Sequence, residues 1–267
     1  MWAEVEKFRL GRVVFVGHLF KILKSVVWLL LWGGLVVQPA NAQKRYPPVD
    51  EAWDGTSYRA LVQRVENDGL QLPTLSDEAT KPVFERIVNV DNIPLRMGLN
   101  RELSTTIRFQ RLDSALDPIH KLVVLYLNEA KKGKPYATEL ARLMVYESKV
   151  SAALLDLSEP YLSTLSSDKR YQVHVAYHDQ IKNDARQLFS DLVQGMTETR
   201  RYSKSDILRM IGGALDALPS YQPIFTDQDR QDLVQKLAQQ ISKTTDQELK
   251  KSLTELRDAI VHRRART

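Results

Sequence analysis

The 267-residue sequence contains no cysteine. That excludes disulfides, thiol nucleophiles, thiolate metal ligands and a lipid anchor attached through cysteine. There is no G-x-S-x-G elbow, no glycine-rich phosphate loop and no S-x-x-K pattern in a supporting context. No self-similarity appears at the 34- or 40-residue periods of helical repeats. Neither sign of charge dominates: 38 Lys and Arg face 33 Asp and Glu. Nothing in that balance points to nucleic acid.

Long apolar runs are also scarce. The clearest, Val26–Val37, is twelve apolar or glycine residues preceded by Lys21 and Lys24 and followed by Pro39-Ala40-Asn41-Ala42. A basic flank, a short apolar core and an A-x-A site read as a secretory signal peptide over residues 1–42, cleaved after Ala42. Twelve residues are too few for a bilayer span, which takes about 20. An uncleaved anchor beginning near Val13 is the alternative, but Lys21, Lys24 and Ser25 interrupt it. The stretch before the apolar core is long for a leader, which suggests translation starting downstream of Met1. Processing would give a periplasmic or secreted protein with no stable membrane span. Removing the five basic and two acidic residues of 1–42 leaves a net charge of only about +2. Without disulfides, such a protein depends on its core for stability.

What remains is rich in amphipathic periodicity. The sequence predicts an all-α fold: a bundle of about eight to nine helices, with an N-terminal arm over 43–94 carrying two short helices and a bundle domain over 95–267. Trp53, the only tryptophan after residue 42, is expected to pin the arm to the body. Ser57 is expected to cap the first short helix, which Asp68-Gly69 ends. Glu78–Val88 reads as the second, with Pro82 in its first turn. Residues 97–116 read as a helix that Asp117-Pro118 restarts, and Ile119–Leu127 as a segment apolar nearly all round. Gly133-Lys134-Pro135 is a turn. Tyr136–Leu157 forms a long helix that Ser158-Glu159-Pro160 breaks or kinks.

A long antiparallel hairpin, about 136–165 and 168–198, is expected at the centre. In its second arm Val173, Tyr177, Ile181, Ala185, Leu188, Leu192 and Met196 make an apolar row. Ile207–Leu218 gives a further helix containing Gly212-Gly213, read as a close helix approach or a hinge, before a loop over Pro219–Pro223. Thr226 and Thr245 should cap the two helices of a C-terminal hairpin, Thr245 with Glu248 in a capping box.

The chemically suggestive residues are few. His174 and His178 lie within the apolar arc, four apart, so both rings leave one side of a helix and could share a metal ion. The zinc-protease pattern is absent, because Val175 stands where a glutamate would follow His174. Di-metal Glu-x-x-His motifs are absent too, since Tyr171 and Val175 occupy the glutamate positions. Glu147, on the core-facing stripe of the preceding helix, needs a partner. Arg108, Arg111, Lys182 and Arg186 are candidates. If the connection centres near residue 166, Glu147 lies opposite residue 185, and the histidines face Leu154, Ser158 and Tyr161. They then read as hydrogen-bonded core residues.

The sequence calls for no cofactor and assigns no catalytic residue. It favours an exported helical protein that binds another protein, an envelope component or a small ligand. The rival is a metal-dependent or hydrolytic enzyme with a site near His120, His174, His178 and Glu147.

Overall fold

A computed structural model of the chain describes residues 46–96, 102–133, 135–165 and 171–262. The expected leader and its cleavage site, the start of the 97–116 segment, the 166–170 connection and the basic end after His262 lie outside the described residues. Residues 44–267 form one compact unit. Among the described residues all regular structure is helical and there is no strand, so the protein is an all-α bundle. Helices α1 (Gly55–Asp68), α2 (Lys81–Ile87) and α3 (Asn92–Leu95) are short. The next six are all longer than α1: α4 (Thr105–Lys131), α5 (Ala137–Thr164), α6 (Tyr171–Thr197), α7 (Lys204–Tyr221), α8 (Asp227–Lys243) and finally α9 (Gln247–Val261). A 3-10 turn, Gln222–Ile224, joins α7 to α8. No helix among the described residues is long and apolar enough to cross a membrane.

One buried core runs from Trp53 to Ile260. α5 is its axis, packing on α4, α6 and α7. The register of these contacts is simple. Phe109 and His120 of α4 meet Tyr161 and Glu147 of α5, so the two run antiparallel. Tyr161 and Ser158 meet His174 and His178 of α6, also antiparallel. Thr138, Val145 and Lys149 meet Asp206, Gly213 and Asp216, so α5 and α7 run parallel at a constant offset of about 68 residues.

Three prolines expected to break helices lie inside them: Pro118, Pro160 and Pro219. Pro160 and Pro219 stand near the C-terminal ends of their helices, so few residues follow the missing hydrogen bond. Pro118 is mid-helix, so Asp117 is not a cap; its carboxylate meets Lys121 at 2.9 Å instead. The missing N–H leaves the Ser114 carbonyl without its helical donor. Arg59 of α1 donates to that oxygen at 3.5 Å. Gly55 packs on it so closely that a Cβ would stand 2.5 Å from the oxygen. The expected break is thus where α1 docks.

Other local expectations shift by a few residues. Asp54, not Ser57, caps α1, accepting from the Thr56 and Ser57 N–H groups at 2.9 and 3.1 Å. Asp246, not Thr245, caps α9. Thr226 does cap α8, in a box completed by Asp229. Ile119–Leu127 is not buried all round, since Val124 is exposed while Ile119, Leu122 and Tyr126 are fully buried. The row on α6 also misses at its start: Val173 is 69% exposed, and Phe189 is fully buried in its place further on. The steps from Val173 to Ile181 are both of four residues, and each drifts about 40° around a helix, so the row begins off the core.

The segment leading into α1 is held by a polar knot. Trp53 is buried, its indole N–H donating to the Pro48 carbonyl at 2.7 Å. Its backbone N–H donates to Asn92 Oδ1 at 3.0 Å. Asn92, fully buried, donates to the Tyr58 hydroxyl at 2.9 Å and the Arg86 carbonyl at 2.8 Å. Tyr58 donates to the Ile87 carbonyl at 2.9 Å and so accepts from Tyr146 of α5 at 2.8 Å. Burial pushes the Tyr146 hydroxyl up to about 12 and the Tyr58 hydroxyl well above its ordinary range.

Candidate functional site

The four residues singled out from sequence form two separate pairs. His174 and His178 leave α6 toward the C-terminal half of α5. His178 is buried, with Nε2 2.9 Å from Ser158 Oγ. Ser158 spends its one proton on the Leu155 carbonyl at 2.7 Å, so its oxygen accepts and His178 Nε2 carries the hydrogen. Metal ligation through that nitrogen would require breaking the Ser158 bond. Glu159 stands 3.6 Å from the same nitrogen. His174 Nδ1 lies 3.4 Å from the Tyr161 hydroxyl, its ring edge-on to the tyrosine, and its buried Nε2 has no hydrogen-bond partner. Tyr161 in turn stacks on Phe109 with ring centroids 4.1 Å apart. Among the described residues no group of three or more His, Asp or Glu could hold a metal ion.

Burial holds the His178 pKa below the ordinary imidazole value, with help from Lys182 and against the pull of Glu159 and Asp179. The fold therefore prefers the neutral ring. Between that lowered value and about 6.5, the unfolded chain binds more protons than the folded one. Stability should fall as pH drops through about 6.5 and stop falling from this cause below the folded pKa. Urea midpoints at pH 7.5 and 5.5 check this. The loss in the native protein should exceed that in His178→Gln, and equal losses would contradict it.

Glu147 finds a partner that the sequence did not offer. His120 Nδ1 of α4 lies 2.7 Å from Glu147 Oε1. The carboxylate is buried, and the imidazole side chain is 37% exposed. None of the expected cations makes this bond: Lys182 pairs with Glu159 at 3.2 Å and Arg186 with Asp229 at 3.3 Å. Burial and then the Glu147 charge push the Tyr221 hydroxyl up. Glu147 and Ser158 are eleven residues apart on α5, about 16 Å along its axis. His120 and Glu147 thus share one location, and His174 and His178 another.

No protein-family model, curated protein or solved structure matches this chain.

Sequence reasoning missed the grooves. One of about 450 Å³ lies between α5 and α7 and is closed at one side by Val88 and Val90. Its cations are Arg142 and Lys149 of α5 and Arg209 of α7. Lys149 meets Asp216 at 3.1 Å. Arg142 and Arg209 make no ion pair among the described residues, and Arg142 Nε is buried without a hydrogen-bond partner. A second, wider concavity of about 930 Å³ lies where α6, α8 and α9 end or begin, lined by Arg200, Arg201, Lys243 and four threonines. The first groove had a signal in sequence. Arg142, Val145 and Lys149 repeat the spacing of Arg209, Gly212 and Asp216, which aligns two helices that happen to be parallel.

The glycine pair on α7 divides its work. A Cβ on Gly213 would stand 2.5 Å from Val145 Cγ1, so this residue is the close approach. A Cβ on Gly212 would meet nothing within 4 Å, and the residue lines the groove. Gly212→Ala should raise stability by about 0.5–1 kcal/mol through helix propensity. Gly213→Ala should lower it by about 1–3 kcal/mol through overpacking. Thermal or urea unfolding of the two variants checks the opposite signs.

Proposed function

We propose that this is an exported helical binding protein without catalytic activity of its own, acting on a protein, an envelope component or a small ligand. The reading rests chiefly on the α5–α7 groove, where two guanidinium groups make no ion pair among the described residues. The histidine and carboxylate pairs, by contrast, are engaged within the bundle. Export is inferred from the leader over residues 1–42.

A hydrolytic or metal-dependent enzyme is the second reading, favoured by the His120–Glu147 bond. A buried carboxylate that orients a partly exposed imidazole is how a general base is held. Two measurements on protein purified from a bacterial host expressing the full chain separate them. Metal analysis should find no stoichiometric zinc or iron, and hydrolysis of p-nitrophenyl acetate should not depend on His120. Stoichiometric metal lost in His174→Ala/His178→Ala, or esterase activity lost in a folded His120→Ala variant, would overturn the binding reading. N-terminal sequencing should place the first residue of the exported product at Gln43. A product that retains residues 1–42 would overturn export.

A further inference from the structure

The Arg142–Arg209 pair is difficult to explain as a structural device. Because α5 and α7 are parallel at an offset of about 68, Arg142 falls level with residue 210, directly beside Arg209. Two like charges therefore face one groove at the same height, and the acid that lines it, Asp216, pairs with Lys149 instead. Two turns along, about 10 Å away, the equivalent positions are a matched pair, Lys149 and Asp216. The buried Arg142 Nε lacks an acceptor, a condition that folded proteins rarely leave uncorrected. Gly212 keeps the groove open without any packing reason to be glycine. Beside the charges stands an apolar wall, Val88 and Val90, the latter 50% exposed.

We propose that this groove binds a phosphate monoester, its phosphoryl group held between Arg142 and Arg209 and its apolar part lying against Val88 and Val90. This rests on the binding-protein reading and gives it a ligand class. Two guanidiniums match the charge of a phosphate monoester, which is about −1.5 to −2 near neutral pH, and their planar forks bond its oxygens in pairs. A carboxylate offers half the charge. Inorganic phosphate offers the charge without the apolar contact.

Calorimetric titration of the protein purified from full-chain expression with phenyl phosphate, inorganic phosphate and benzoate tests this. Phenyl phosphate should bind most tightly and weaken with added salt. Arg142→Gln/Arg209→Gln should weaken it about tenfold or more, as loss of charge-assisted hydrogen bonds implies. Gly212→Leu should weaken it comparably by filling the groove, while the melting temperature is maintained. Arg200→Gln, in the wider concavity, should leave binding unchanged. The proposal is overturned if native protein fails to bind phenyl phosphate up to roughly 10 mM, if both groove variants bind as the native protein does, or if benzoate binds equally well. Binding lost in Arg200→Gln but kept in the groove variants would also overturn it, yet leave the binding-protein reading intact. That reading fails separately, on the metal and esterase measurements.

Discussion

Trp53→Ala is expected to lower the free energy of unfolding by about 3–5 kcal/mol, the range for emptying a large buried aromatic site. The residue is 1% exposed. Its ring meets Tyr58 edge-on at 5.4 Å, an arrangement that adds to simple burial. The variant also loses the indole bond to the Pro48 carbonyl, which holds the incoming chain. Domains of this size are stable by only about 5–15 kcal/mol, so a substantial fraction of the total would go. Trp53→Phe should lose clearly less, because most of the apolar area stays. Urea unfolding followed by circular dichroism measures both. A loss below about 1 kcal/mol for alanine would mean that the segment before α1 is only loosely attached. The tryptophan would then be a candidate for stacking on a ligand.

That Trp53 would anchor the chain was legible because a single tryptophan in a proline-rich, polar stretch has few other uses. Helical periodicity was equally legible, and it carried the fold class. The prolines were misread for a physical reason. A proline forbids one hydrogen bond and crowds one turn, but it does not forbid the helix if something else satisfies the freed carbonyl. At Pro118 the satisfying group is Arg59 and the space is made by Gly55, both more than fifty residues away in sequence. No local rule contains that information. The caps at Asp54 and Asp246 were missed more simply: each stood one to three residues from the Ser or Thr that was chosen, and the carboxylate won the competition for the free N–H groups.

The candidate site was half legible. Reflecting the chain about the connection near residue 166 placed Ser158 and Tyr161 opposite the histidines, where the hydrogen bonds are found. The same reflection about Gly133-Lys134-Pro135 would have set Glu147 opposite residue 121, beside His120. The arithmetic that rejected one partner for Glu147 could have supplied the right one. The α5–α7 groove was harder to foresee, because two parallel helices are separated by a third and their register depends on two connections rather than one. Only the repeated spacing of arginine, small residue and charge hinted that both rows share a face.

Asn92→Leu should cost about 2–4 kcal/mol, although the two side chains have similar size. Asn92 is fully buried and spends both ends of its amide. Leucine would leave the Trp53 N–H buried with no acceptor, since Asn92 Oδ1 is its hydrogen-bond acceptor. The Arg86 carbonyl would fare better, because Asn89 also donates to it at 3.3 Å. Tyr58 would keep its bonds to Ile87 and Tyr146. One orphaned donor and the loss of two other contacts therefore account for the cost. Asn92→Asp separates this explanation from loss of packing. A carboxylate can still accept from Trp53, but it cannot donate to the Tyr58 oxygen or the Arg86 carbonyl unless it is protonated. Its folded pKa should rise above the unfolded value of about 3.9. Relative to the native protein, the aspartate variant should be least stable near pH 7 and should recover as pH falls through that raised pKa. The leucine variant should show no such recovery. Parallel pH profiles for the two would mean that the amide's hydrogen bonds are not what holds this corner. Because Trp53 and Asn92 share a bond, the Trp53→Ala/Asn92→Leu double variant should lose less than the two single losses together. The alanine variant has already loosened the backbone whose N–H the leucine would strand.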